Sequence, residues 1–427
     1  MIQLPGGFVL SNFDINLHEL VYSLSDALDL VGVVQIHHGK RVGFMAAECG
    51  KELGLDSDTL DSLFQAAILH DCGVSNTSVH ARLAQFEWEK VNGHCKIGAA
   101  LLGITPPLAH LSDVILHHHT HWDKLKDLDL ADNVKLMANL IFLVDRVDVL
   151  SLHAQVEDAN ILLGADAIKE KIISHRDTLF KSELVDAFLE IADSEAFWLS
   201  LEREHVDGYV YEWIAHETTR PIAFEDVKSL VKIFSHIVDA KSPYTYEHSQ
   251  GVASLSRYLG ELFDVSEHNC DMLYLAGLLH DIGKLRVPDD VLEKSGKLSN
   301  GEFKTIQRHS FDTFNILKRI RGFDEIALWA AQHHERVDGG GYPYHTKEHK
   351  LSLEARIVAV ADVFQALAQD RPYRPALSPA EIYAILSNDS DAGKLDSNVV
   401  EKVRENLDSC WRKATLQDQK EAAAVAA

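Results

Sequence analysis

The sequence contains no window of the ~18 uninterrupted apolar residues that a membrane-spanning helix needs. It does not open on a basic stretch followed by an apolar run, so no signal peptide is expected. Cysteine is sparse. Cys49, Cys72, Cys95, Cys270 and Cys410 are odd in number and scattered, and form neither a disulfide framework nor a Cys-x-x-Cys zinc site. Cys72 and Cys95 read as small core residues. A reducing cytoplasm is the compartment these absences point to. Positive charge is also in short supply, with 41 basic against 65 acidic residues and a net charge of −24. Such a surface repels nucleic-acid polymers at long range. Neither a membrane nor a nucleic-acid polymer is expected as a partner, and an anionic substrate would need cations placed locally.

Clear alternating strand patterns are scarce too, which leaves a helical protein. Apolar groups fall at helical spacing over Leu60–Leu69 and Met272–Leu279, with Ser57 and Asp58 as candidate caps before the first. The fold class expected is all-α. At 427 residues, with 46% hydrophobic and 25% charged residues, the chain suits two globular domains.

What the chain does have is a series of histidines and acids that occurs twice. The fuller copy runs His248, His280-Asp281, Lys284, His309, His333-His334 and Asp362. The other runs His38, His70-Asp71, His94, His118-His119 and Asp145. The first and second histidines are 32 residues apart in both copies, and the third and fourth are 24 apart in both. Seven positions in register argue for a duplicated domain rather than chance. The copies differ in instructive ways. Val74 stands where the second copy has Lys284, and Thr120-His121 stands for Glu335-Arg336. The first copy also has no counterpart of the Gly339-Gly340-Gly341-Tyr342-Pro343 loop. That pattern predicts one working site, in the second half, and one retired or regulatory site, in the first.

Imidazole and carboxylate together hold borderline divalent metals. In the second copy Asp281 can span two ions through its two oxygens. His248, His280 and Asp362 would complete one ion, and His309, His333 and His334 the other. Two such ions (iron, manganese, nickel and zinc all suit these donors) can share a water and lower its pKa, giving a bridging hydroxide suited to attack on phosphorus. Lys284, Arg371 and Arg374 follow as candidate phosphate clamps. The competing reading of the arginines is simple pairing with acids. Glu335 and Asp338 are expected to brace the loop and ligands. His280-Asp281 would end one helix with Gly283 permitting a sharp exit, and His333-His334 would close another before the glycine-rich loop.

Residues 244–374 resemble the HD-GYP domain, a branch of the HD metal-dependent phosphohydrolases. The resemblance rests on Pro243-Tyr244-Thr245-x-x-His248-Ser249, His280-Asp281-Ile-Gly-Lys284, His333-His334-Glu-Arg-x-Asp-Gly-x-Gly-Tyr342-Pro343, Ala361-Asp362 and Arg371-Pro-Tyr-Arg374. The first half resembles an HD domain without the Gly-Tyr-Pro part. The resemblance implies a metal-dependent phosphodiesterase that opens cyclic dinucleotides, cyclic di-GMP or 3′3′-cyclic GMP-AMP, to the linear form. It implies His248, His280, Asp281, His309, His333, His334 and Asp362 as metal ligands, with Asp281 and Lys284 at the centre of the chemistry. Lys284, Arg371 and Arg374 would contact substrate phosphate, and Gly341 and Tyr342 would line the substrate site. Tyr244 stands where some members carry a glutamate for a third metal, which points to two ions here. Ser242 stands where the family often has aspartate, and bears on base preference.

The expected organisation is a degenerate HD domain over 1–151, a helical extension over 152–221, the HD-GYP domain over 222–414 and a frayed tail over 415–427. His38, His70, Asp71, His94, His118, His119 and Asp145 are a candidate second metal site. The first domain is expected to pack on the second and regulate it. The alternatives are a catalytically weak cyclic-dinucleotide sensor, or another HD phosphohydrolase acting on nucleotides.

Overall fold

The structure, a computed structural model, describes residues 12–30, 37–74, 93–158, 160–216, 220–241, 247–294, 296–370 and 374–426. Ser242, Tyr244 and Arg371 fall outside these residues. The fold is all-α, as the sequence suggests. Among the described residues the only sheet is a two-stranded antiparallel ribbon, in which β1 (Asn12–Ile15) pairs with β2 (Arg220–Ala223), Asn12 opposite Ala223 and Ile15 opposite Arg220. No helix among the described residues is long and apolar enough to cross a membrane.

The chain divides into two compact units. Asn16–Thr219 form one, and Met1–Ile15 with Arg220–Ala427 form the other. A boundary at residue 151 therefore has no structural counterpart. It falls inside the long helix Asp132–Asp158, which carries both Asp145 and Asp148 and buries Val147, Val149 and Ser151. The helices that follow, Ile161–Ile173 and Ser182–Ala192, belong to the same unit. Asn139 ties this segment to the Asp132–Asp158 helix. Its amide donates to the Leu179 carbonyl at 2.9 Å and its side-chain oxygen accepts from the Lys181 N–H at 2.8 Å.

The predicted helices are present and longer than their apolar cores. One spans Ser57–Leu69 and another Glu267–Leu279. The cap of the first is Asp56, one residue before those expected. Its backbone is extended and its carboxylate accepts from Thr59 N at 3.0 Å, which puts Ser57 and Asp58 inside the first turn. Ser266 caps the second helix in the same manner. In the tail, residues 417–426 form a helix, and Lys420 Nζ pairs with Glu247 Oε2 at 2.5 Å.

Candidate metal centre

In the unit holding Arg220–Ala427, helix ends and close helix contacts aim the ligands. His248 opens the helix His248–Leu262, and His280 caps the C-terminus of Glu267–Leu279. These two helices lie close because Gly277 faces Ala253. A Cβ on Gly277 would stand 2.7 Å from Ala253 Cα. The approach brings the Nε2 atoms of His248 and His280 to 3.2 Å. Gly283 acts differently from expectation. The chain after Asp281 continues into the short 3₁₀ helix Ile282–Arg286, and Gly283 is required because the backbone of His309 and Thr313 crosses against it. Its N–H donates to Thr313 Oγ1, whose hydroxyl donates to the His280 carbonyl, both at 3.1 Å. The helix Asn300–Leu317, which carries His309, is thereby bolted to the His280-Asp281 turn.

Three rings are oriented by one device. The Nδ1–H of His280, His309 and His333 donates to the carbonyl three residues earlier, at 2.8, 2.6 and 2.6 Å. Each Nε2 lone pair is thereby turned inward. Gln365 serves His248 in the same way, with Oε1 2.5 Å from Nδ1. Asp281 lies at the centre. Its Oδ2 is 3.2 Å from His280 Nε2 and 3.7 Å from His248 Nε2, while Oδ1 is 3.5 Å from His309 Nε2 and 3.8 Å from His333 Nε2. Asp362 Oδ1 closes the first side, 3.3 Å from His248 Nε2 and 3.7 Å from His280 Nε2. His309, His333 and His334 group on the second side, with donor atoms within 4.8 Å of one another. The result is two lobes joined by one carboxylate.

The two lobes differ in their electrostatics. Burial pushes the Asp281 carboxyl up, but His280, Lys284 and His309 together hold it well below the usual carboxylate range. Burial opposes charge on His280 as well, yet Asp281 and Asp362 outweigh it and raise that imidazole to about 9. On the other side burial, with His334 adding to it, lowers His309 to about 3, and burial lowers His334 to about 4. Their nitrogens therefore carry free lone pairs at neutral pH. Asp281 Oδ1 is buried without a hydrogen-bond partner among the described residues. A buried carboxylate oxygen flanked by unprotonated ring nitrogens is the pattern a divalent cation satisfies. The residues fit a metal, and the HD domain is a metal-dependent family.

Lys284 is the cation at the rim. Its Nζ is 2.5 Å from Asp281 Oδ2 and its side chain is 27% exposed. Tyr342 packs over the second lobe, its ring centroid 4.8 Å from that of His334. Its N–H donates to the His334 carbonyl at 3.1 Å, so the loop is pinned to a ligand's own backbone. Gly341 makes this approach possible, since a Cβ there would stand 2.5 Å from Glu335 Cα and from the His334 oxygen. Glu335 accepts from the N–H groups of Tyr344 and Thr346 at 2.6 and 2.8 Å, and Asp338 accepts from Gly340 N at 2.6 Å. Arg374 is bonded to its own chain. Its guanidinium donates to the carbonyls of Ala366 and Leu367 at 2.6 and 3.1 Å, at the end of the helix Leu353–Ala368. Neither that cap nor Gln365 was anticipated. Gln365 is signalled by its place one helical turn past Asp362, which Asp148 shares relative to Asp145.

The first unit repeats the arrangement. His38 and His70 Nε2 are 3.2 Å apart, His94 and His118 Nε2 are 3.3 Å apart, and Asp71 sits between the pairs, Oδ2 3.6 Å from His70 and Oδ1 3.5 Å from His94. His70 and His118 bond carbonyls three residues back, and Asp148 takes the part of Gln365 toward His38 Nδ1 at 2.7 Å. Asp145 Oδ1 is 3.4 Å from His38, and Asp145 Oδ2 is 3.9 Å from His119 Nδ1. Around the first lobe, however, protein cations are built in. Arg146 pairs with Asp145 at 2.7 Å and Arg41 with Asp148 at 2.5 Å.

A family model for the HD domain matches two segments of the chain, residues 23–125 and 232–399. The 3′3′-cGAMP-specific phosphodiesterase 1 of Vibrio cholerae serotype O1 is 37% identical over 398 residues, 92% of each chain. The cyclic di-GMP phosphodiesterase PA4108 of Pseudomonas aeruginosa is 31% identical over 260 residues, 61% of this chain and 58% of that one. Among solved structures, that of the V. cholerae cyclic GMP-AMP specific phosphodiesterase V-cGAP3 superposes with a TM-score of 0.63, covering 93% of this chain and 98% of the other at 23% identity. At that identity the likeness shows the fold.

Proposed function

The chain belongs to the HD-domain family, and from that premise we propose that it hydrolyses a phosphodiester bond of a cyclic dinucleotide, 3′3′-cyclic GMP-AMP or cyclic di-GMP, to give the linear dinucleotide. The observation that carries the reading is the two-lobed donor array centred on Asp281, with one buried oxygen left for a cation. Resemblance along 92% of both chains to a cyclic GMP-AMP phosphodiesterase supports the substrate class.

His248, His280, Asp362 and Asp281 Oδ2 would hold one ion; His309, His333, His334 and Asp281 Oδ1 would hold a second. Iron, manganese, nickel or zinc suits these donors. When bound, such a pair supplies Lewis acidity toward phosphoryl oxygen and an activated water. The chain's own residues do the rest. Lys284 presents an ammonium at the rim to neutralise a phosphate oxygen as charge develops in the transition state. Tyr342 supplies a wall against which a nucleotide packs, and Glu335 and Gly341 keep that wall fixed to the ligand segment. The ring of Phe303, 43% exposed and 6.3 Å from that of Tyr342, extends the apolar surface on which a base can stack. The first unit has Val74 in place of the lysine, and we assign it a holding or regulatory part.

Full-length protein supplied with Mn²⁺ or Fe²⁺ should convert at least one of the two cyclic dinucleotides to its linear product in a side-by-side turnover assay. Metal uptake without turnover of either would refute the reading.

A further inference from the structure

The second lobe of the first unit differs from its counterpart by one atom type. Ser310 follows His309 in the second unit, and its hydroxyl oxygen lies 3.3 Å from His309 Nε2. Cys95 follows His94, and its sulfur lies 3.4 Å from His94 Nε2 and 4.0 Å from His118 Nε2. His94, Cys95, His118 and His119 place four donor atoms within 4.8 Å of one another. Tetrahedral zinc has bonds of about 2.0–2.1 Å to nitrogen and about 2.3 Å to sulfur, which require donor separations of about 3.3 Å between nitrogens and about 3.6 Å between nitrogen and sulfur. The His94–His118 separation is 3.3 Å, and the two sulfur distances bracket the second value.

We propose that His94, Cys95, His118 and His119 form a closed site for one zinc-class divalent ion in the first unit. Three observations converge on it. A thiolate and three imidazoles form a softer donor set than anything in the second unit, and soft sulfur selects zinc over manganese or magnesium. Asp71 Oδ1, 3.5 Å from His94 Nε2, is buried without a hydrogen-bond partner among the described residues, so this lobe holds a carboxylate oxygen that a cation would satisfy. Asp145 and Asp148, the carboxylates beside His38, are already paired with Arg146 and Arg41, whereas Asp71 Oδ1 has no such guanidinium. Four protein donors leave no open position for a reacting water, which is the structural rather than the catalytic form of zinc site. Val74, 2% exposed where Lys284 stands in the other copy, adds no phosphate-binding cation. Ion uptake releases a proton, since a coordinated thiol is deprotonated.

The test uses full-length protein loaded with Co²⁺ and its electronic absorption. A thiolate-to-cobalt charge-transfer band in the near ultraviolet is expected in the wild type and in Asp281→Ala, and is expected to vanish in Cys95→Ser, which recreates the serine of the second copy. Cys95→Ser should retain hydrolysis. Zinc-loaded wild type should show a sulfur neighbour at about 2.3 Å in X-ray absorption, a readout that needs no variant. Cobalt uptake without the thiolate band, or a band that persists unchanged in Cys95→Ser, would overturn the proposal. The Asp281→Ala arm separates this site from that of the second unit, since failure of either leaves the other's signal intact.

Discussion

Replacing Gly283 by alanine adds one methyl group at the crossing that joins the Asp281 turn to the His309 helix. The new Cβ would stand 2.0 Å from the His309 carbonyl oxygen and 2.9 Å from Thr313 N, both backbone atoms that cannot rotate away. Ordinary non-bonded contact is ~3.5 Å, so one backbone must retreat by more than ~1 Å. The retreat pulls on the Gly283–Thr313–His280 hydrogen-bond chain and moves His309 away from Asp281 Oδ1. Overpacking of this kind costs about 1–3 kcal/mol, and a misplacement of ~1 Å at a reacting centre lowers rate by ~10²-fold. Gly73 offers a control inside the same molecule. A Cβ there would meet the His94 carbonyl oxygen at 2.0 Å and Gly98 N at 2.7 Å. Gly73→Ala should cost comparable stability and leave turnover near wild type, whereas Gly283→Ala should lose about two orders of magnitude. Urea denaturation and initial rates on the cyclic dinucleotide, with metal in excess, measure both effects. Wild-type turnover in folded Gly283→Ala would refute the argument that this crossing sets the lobe geometry.

Lys284→Met should keep the metal content and lower kcat/KM by ~10²-fold or more, because the developing phosphoryl charge loses its cation while Asp281, which also loses its ion-pair partner, stays available to the metal; unchanged kcat/KM would remove the lysine from the chemistry. The double change His70→Ala with Asp71→Ala dismantles the first-unit cluster and should leave measurable hydrolysis. Complete loss, with the second unit folded and metallated, would make the first unit a requirement for turnover. Asp29 gives a pH signature. Burial raises its carboxyl from 3.8 to about 7, so the native protein keeps a proton that the unfolded chain releases. Its stabilising contribution is full below the unfolded value and is lost as pH rises to about 7. Asp29→Asn, which stays neutral, should therefore gain stability relative to wild type across that window, by at most about 1.4 kcal/mol per pH unit. A pH-independent difference in urea midpoints would contradict this.

The candidate ligands were legible because a metal centre demands scarce residue types at spacings that duplication then repeats. The helices were legible because their buried faces follow the helical period. Other features leave no such trace. Arg374 acts through two hydrogen bonds to main-chain carbonyls, and any polar residue in sequence looks equally suited to that, while Gln365 shows itself only through a spacing shared with Asp148. Gly283 read as a turn residue, although what it answers is the backbone of a helix some thirty residues away. The β1–β2 ribbon joins segments more than two hundred residues apart, and four-residue strands carry too little pattern to register. Cys95 read as core packing because the sulfur's neighbours, His94 and His118, become a donor set only once the chain is folded.

The account turns on Asp281 joining two ions, and metal analysis of Asp281→Ala beside wild type, on the same samples used for turnover, tests that most directly. The variant should keep its helical circular dichroism, lose the ions held by the second unit and show no hydrolysis. A folded Asp281→Ala protein that retains the full wild-type metal content, or that turns over substrate at the wild-type rate, would contradict it.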